Sequence, residues 1–116
     1  MKATIERATL LKSLGHVQSV VERRNTIPIL SNVLMEASEN GAIRLTATDL
    51  DLQIVETIAG DVEIPGATTV SAHTLFEIAR KMPDGSQVQL NAADGRMAVN
   101  AGRARFSLST LPRDDF

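Results

Sequence analysis

Residues Val88-Gln89-Leu90-Asn91-Ala92-Ala93-Asp94-Gly95-Arg96-Met97-Ala98-Val99 decide the fold. Val88, Leu90 and Ala92 alternate with other residues, and Met97 and Val99 resume the alternation after the turn. Between them, Asp94-Gly95 is a dipeptide that accepts the positive φ angles of a tight hairpin. A period of two means strands with one buried face. Downstream, Asn100-Ala101-Gly102 turns the chain into Arg103–Thr110, where Ala104, Phe106 and Leu108 alternate with Arg105, Ser107 and Ser109. Upstream, Asn40-Gly41 is a second hairpin dipeptide. It separates a strand within Ile29–Ser38 from the alternating Ile43, Leu45 and Ala47.

Two segments break that rhythm. Leu10, Leu14, Val17 and Val21 fall at spacings of four, three and four within Arg7–Arg24, which is one face of a helix, broadened by Leu11 and Val20. Leu75, Ala79 and Met82, with Phe76 and Ile78 beside them, mark a second helix over Ala72–Met82. Ser71 is its N-cap, and Pro83-Asp84-Gly85 ends it because proline cannot continue a helix. Residues 2–59 and 67–110 then read alike, as strand, helix and three strands, joined at Pro65-Gly66. The pattern predicts an α+β fold: duplicated βαβββ units whose two helices pack on antiparallel sheet in a single domain.

Composition narrows function. A chain of 116 residues with 43% hydrophobic and 22% charged residues is an ordinary globular protein. Its longest apolar runs, Val33–Met35 and Met97–Val99, cannot cross a bilayer as helices. Glu6 and Arg7 stand where a signal peptide needs its apolar stretch. The absence of cysteine removes disulfides, thiolate zinc sites and a Cys nucleophile, and makes a reducing cytoplasmic setting the expectation.

The net charge of −2 conceals a division. The helical segments 7–24 and 72–82 carry six basic residues (Arg7, Lys12, Arg23, Arg24, Arg80, Lys81) and two acidic ones, a net of +4. The remainder carries six basic and twelve acidic residues, a net of −6. If the polar faces of both helices look away from the sheet, they form one positive surface suited to a polyanion, although a solvated helix face has the same composition. With no Tyr or Trp and with Phe76 expected to be buried, there is no platform for stacking bases. What remains is phosphate contact that is weak, sequence-blind and salt-dependent.

No catalytic constellation emerges. His16 and His73 have no metal-ligand partner at helical spacing. Asp49 and Asp51, two apart on a strand, could hold a divalent cation in a phosphoester hydrolase, but acidic residues after a strand commonly sit in a turn. The seven glycines never approach a phosphate-loop spacing.

Four stretches resemble a known family: Arg24–Leu34, Leu45–Asp51, Pro65–Val70 and Gly102–Pro112. They are similar to the N-terminal domain of the bacterial DNA polymerase III beta subunit, the replicative sliding clamps, and the similarity runs from Met1 to Phe116. The resemblance implies a dimeric ring of three-domain subunits, of which residues 1–116 are the first domain and the central and C-terminal domains lie beyond this chain. It implies helices lining the hole and sheets forming the rim, which accounts for the division of charge. The implied role is to encircle duplex DNA without sequence preference and tether the polymerase, with no active site and no cofactor.

By position, the resemblance makes Arg24 and His73 DNA contacts, with Arg80 and Lys12 supporting them. At 73 relatives often carry arginine, so a largely neutral imidazole here replaces a permanent cation. Strand 103–109 is implied as the ring interface, with Phe106 and Leu108 giving apolar contact and Arg103 and Arg105 meeting acids. Alternation alone equally allows Phe106 and Leu108 to face this domain's own core. Where relatives often have a basic residue, this chain has Thr74. Contacts with polymerase subunits and clamp loader are expected through the domains beyond it. A different reading is an interaction module that recruits a protein through edge strand 103–109, with the basic helices incidental.

Overall fold

The computed structural model describes residues 1–21, 28–49 and 51–116 of the chain. In element order these form β1 (Lys2–Glu6), α1 (Arg7–Gln18), β2 (Asn32–Ala37), β3 (Ala42–Thr48), β4 (Gln53–Ala59), β5 (Asp61–Ile64), β6 (Gly66–Ser71), α2 (Ala72–Lys81), β7 (Gln87–Ala93), β8 (Arg96–Ala101) and β9 (Ala104–Leu111). The Asp94-Gly95 hairpin forms as its sequence demands, with φ of 54° and 78° at its two central residues. At the other hairpin Gly41 has φ of 87° and the Asn40 side chain accepts the Ala42 N–H at 3.0 Å. The expected α+β architecture is present, with both helices on nine antiparallel strands.

The duplication is exchanged rather than side by side. β1 pairs with β7 of the second unit, and β6 pairs with β2 of the first, so each unit completes the other's sheet. The strand order is β4-β3-β2-β6-β9-β8-β7-β1-β5. Its two ends, β4 and β5, are separated in sequence only by Gly60. The chain thus crosses from one sheet to the other at Gly60, as β9 does when it leaves β8 after Ser109 and pairs Thr110 and Leu111 with β6. Gly60 is required there: a Cβ would lie 2.9 Å from the Thr4 carbonyl oxygen and 2.8 Å from Ile43 Cδ1.

The core lies between this sheet and the helices. Leu10, Leu14, Val17 and Val21 are buried as the helical spacing predicts, beside Leu75, Ile78, Ala79 and Met82. The strands add Ile5, Met35, Leu45, Leu90 and Met97, so the centre is aliphatic and thioether, while Phe76 and Phe106 pack half-buried at its margin. Deleting one of these side chains, as in Leu14→Ala, costs about 2–5 kcal/mol by lost burial and cavity formation.

Four local expectations change. α1 stops at Gln18 rather than continuing through Val21, because the Ser19 hydroxyl bonds the His16 carbonyl at 2.6 Å and the next amides close tighter turns, Val20 to Val17 and Val21 to Gln18; residues 22–24 of the expected helix lie outside the described residues. The strand expected within Ile29–Ser38 is shortened to Asn32–Ala37 by a 3₁₀ turn over Pro28–Ser31, where proline's missing N–H suits a helical first position. β5 was not anticipated. Arg103 sits in the two-residue turn before β9, not on the strand.

Candidate nucleic-acid interface

The two helices run antiparallel and are clasped at both ends. At one end Arg7 donates from Nε to the Ala79 carbonyl at 3.1 Å, from Nη2 to the Arg80 carbonyl at 3.0 Å and from Nη1 to Asp84 at 2.9 Å. Its guanidinium caps the C-terminus of α2, where carbonyls lack helical partners and the helix dipole favours a cation. At the other end His73 Nε2 lies 2.6 Å from the Val21 carbonyl and donates to it. Between the clasps, Gly15 faces Phe76, with room for a Cβ only at van der Waals distance from the ring.

This geometry redistributes the expected contacts. Lys12 is exposed on α1 and has no acidic partner among the described residues. Arg80 is exposed on α2, with its guanidinium 5.8 Å from the centre of the Phe76 ring and 3.0 Å from Glu77. An exposed pair of that kind is worth little and yields readily to a phosphate. Lys81 is exposed beside it. Arg7, counted with the cations of the positive face, is spent on the clasp, its side chain only 14% exposed. Arg24 and Arg23 lie outside the described residues.

His73 is turned inward. Its Nε2–H serves the Val21 carbonyl, and its Nδ1 is buried without a partner. Neither ring nitrogen is presented to a phosphate, so its visible role is to join the helices. His16 is exposed and meets the Glu56 carboxylate on β4, tying α1 to the sheet edge beside an open cleft of about 420 Å³ that Lys12 also lines.

A second group of residues lies along β9. Among the described residues, its residues 104–109 pair only with β8, leaving the opposite edge open. Arg103 and Arg105 are exposed there, without an acidic partner among the described residues. Phe106 is half-buried at a cleft of about 390 Å³ shared with Thr74, Glu77 and Lys81 of α2. Leu108 is 8% exposed and packs into this domain's own core, while its backbone pairs with Met97 of β8, so its side chain is not offered to a neighbour. Sequence reasoning passed over Arg96, which donates to the Ser107 hydroxyl at 3.0 Å and reaches Ser109 at 3.4 Å, fixing the outer face of the edge strand. The signal was present in the hairpin register, which places Arg96 opposite Ser109.

Asp49 and Asp51 do not share a strand face. They follow β3 in a turn, where Asp49 Oδ1 accepts the amides of Asp51 at 2.8 Å and Leu52 at 2.6 Å. Among the described residues no three His, Asp or Glu side chains converge as a metal site, and no helix is long and apolar enough to cross a membrane.

Comparison with known proteins agrees with this geometry. Residues 1–116 match the family model of the DNA polymerase III beta subunit, N-terminal domain. The chain is 56% identical to the beta sliding clamp of Caulobacter vibrioides and 44% identical to that of Escherichia coli, in each case over the whole chain. It spans about a third of the length of these relatives, 32% of each. Among solved structures, Caulobacter crescentus pol III beta superposes with a TM-score of 0.96 at 55% identity, over the whole of this chain and 32% of that one. A Pseudomonas aeruginosa sliding clamp bound to griselimycin does so with a TM-score of 0.96 at 42% identity, over 31% of its length.

Proposed function

The chain belongs to the family of the DNA polymerase III beta subunit N-terminal domain, and on that premise we propose that it is the first domain of a sliding clamp. The assembled ring encircles duplex DNA and tethers the replicative polymerase, raising processivity without chemistry of its own. The observation that carries this reading is the clasped helix pair, which leaves Lys12, Arg80 and Lys81 exposed and has no stacking aromatic among the described residues. Such a surface holds phosphates without reading bases. A grip that must slide is best supplied by closure of the ring, with contacts weak enough to exchange. Arg24 joins Lys12 and Arg80 in that contact, and His73 supports it by joining the helices.

The open edge of β9, with Arg103, Arg105 and Phe106, is the half of the ring interface that this domain contributes. The remaining two thirds of the relatives' length corresponds to the central and C-terminal domains, through which clamp loader and polymerase subunits bind. The setting is cytoplasmic. That same open edge favours a second reading, a recruitment module indifferent to DNA, which predicts that charge reversal at Arg80 leaves activity intact.

The deciding experiment loads the intact clamp onto nicked circular plasmid with its loader and ATP, washes in high salt, and linearises half the sample. Retention on circles with loss from cut DNA is expected. Equal retention on both would overturn the topological reading. In direct binding to duplex DNA, Lys12→Ala and Arg80→Ala each reduce the slope of log K against log salt by about 0.9, one phosphate contact apiece, whatever the sequence.

A further inference from the structure

α1 shows the solvent a single stripe. Ala8, Lys12 and His16 are its exposed residues, continued by Ser19 at the cap, while Leu10, Ser13, Leu14 and Val17 are buried on the opposite side. His16 therefore stands one turn along from Lys12 on the same face, with its side chain 54% exposed. The open cleft of about 420 Å³ between α1 and β4 runs beside both and leaves room there for a phosphate group. The two histidines of the chain thus differ in kind. The ring of His73 is taken up by the helix clasp, and that of His16 lies open.

Glu56 of β4 sets the chemistry of that ring. Its carboxylate meets His16 Nδ1, and an ionised carboxylate only accepts, so Nδ1 carries the proton of the neutral imidazole. Nε2 then holds a lone pair, with no partner among the described residues. A lone pair repels a phosphate oxygen. A second proton turns the same nitrogen into a charged donor, with Nδ1–H still held by Glu56. Charge changes in step. Beside a neutral ring the Glu56 carboxylate offsets Lys12, and this flank of α1 has no net charge; beside an imidazolium it is positive by one. Thr9, Ser13 and Ile58, which complete the cleft, carry none. The charged residues of the other elements packed on α1 are engaged elsewhere among the described residues: Arg44 of β3 with Glu36, Lys2 of β1 with Glu63, Arg80 of α2 with Glu77, and His73 with the Val21 carbonyl. Glu6 and Lys81 sit at the Arg7 end of the helix pair, away from His16.

We propose that His16, oriented by Glu56, is a proton-dependent phosphate contact beside Lys12, so that the hold of α1 on duplex DNA strengthens in mild acid. This rests on the reading of the exposed helix cations as the DNA contact and adds to it a residue whose contact is switched. The switch lies at position 16 and not at 73, the histidine that the family resemblance pointed to, because only His16 has a ring nitrogen open to a ligand. A contact to backbone phosphate carries no sequence preference. Each phosphate neutralised releases counterions, so the switch is read in the salt dependence of binding rather than in selectivity.

Direct binding of the intact clamp to short duplex DNA over a salt series, at pH about 5.5 and about 8 on either side of the imidazole range, tests this. Titratable groups elsewhere in the clamp move wild type and variants alike, so the difference between them is what is read. At the acid pH the slope of log K against log salt is expected to be steeper in wild type than in His16→Gln by about 0.9, one phosphate contact, and at the alkaline pH the two coincide. His16→Lys makes the contact permanent and shows the acid slope at both pH values. Glu56→Gln frees Lys12 from the opposing charge and binds more tightly than wild type at the alkaline pH; no gain overturns the part given to Glu56. His73→Gln keeps the whole pH dependence, because its ring is turned inward. Equal slopes for wild type and His16→Gln in acid overturn the proposal, as does a pH dependence that disappears with His73→Gln instead. Should His16→Gln melt early, His16→Lys decides: a slope no steeper than that of wild type at the alkaline pH overturns the proposal as well. Lys12→Ala separates the two readings. If it lowers the slope at both pH values while His16→Gln lowers it at neither, only the His16 inference fails; if neither variant changes the slope, the reading of α1 as a DNA contact fails with it.

Discussion

Among single residues, the sharpest division is between cations that look alike in sequence. Arg7 and Lys12 both lie on α1, yet one closes the helix pair and the other faces solvent. Counting charge along a helix treats them as equal, because only the approach of α2 brings carbonyls to Arg7. The same blindness applied to His73, whose partner is a carbonyl far away in sequence. The two kinds of residue respond differently to truncation. His73→Ala loses a buried hydrogen bond and lowers stability by about 1 kcal/mol in urea unfolding, without altering the salt slope of DNA binding. Lys12→Ala does the reverse. Gly60 gives a second residue-scale prediction. Gly60→Ala sets a Cβ against the Thr4 carbonyl, which cannot rotate away, and destabilises by about 1–3 kcal/mol in the same measurement.

For whole elements, local chemistry was most legible where one residue type does one job. The Asp94-Gly95 and Asn40-Gly41 turns and the Ser71 cap were written in the sequence because positive φ and a capping oxygen are local demands. Ser71 accepts the Thr74 amide at 3.3 Å, and Ser71→Ala lowers the melting temperature by the equivalent of about 1 kcal/mol. β5 escaped because it is four residues long, mostly exposed, and flanked by Gly60 and Pro65, so it looks like a loop. Val62 and Ile64 do alternate, a signal too short to stand without β1 beside it. The end of α1 was overrun because the apolar stripe continues to Val21. That residue is buried as the stripe requires, but the backbone reaches it through turns tighter than an α-helix.

On the scale of the molecule, the charge division survives in altered form. The helical face is positive through Lys12, Arg80 and Lys81, with Arg7 subtracted, and the sheet is not uniformly acidic but polarised from β4 to β9. Summing the sheet as one body concealed this, since the arginines of residues 95–113 cancel against acids elsewhere. The exchange of β1 and β6 between units was also hidden, because pairing partners are not encoded in alternation. Its mechanical result is a sheet that neither unit can complete alone. Heat and urea should therefore unfold the two halves together, and coincident transitions by circular dichroism and by amide exchange in β3 and β8 are expected.

The basic-free run from Leu45 to Ala79 has an analytical consequence. Trypsin cuts after Lys and Arg, so complete digestion releases β4, β5, β6 and nearly all of α2 as one peptide from Leu45 to Arg80. Amine-reactive cross-linkers find no lysine anywhere on that peptide. Mapping what lies against β4 by mass spectrometry therefore calls for carboxylate-directed reagents, with Asp51, Glu56 and Asp61 as the attachment points, and for a protease that cleaves beside acidic residues.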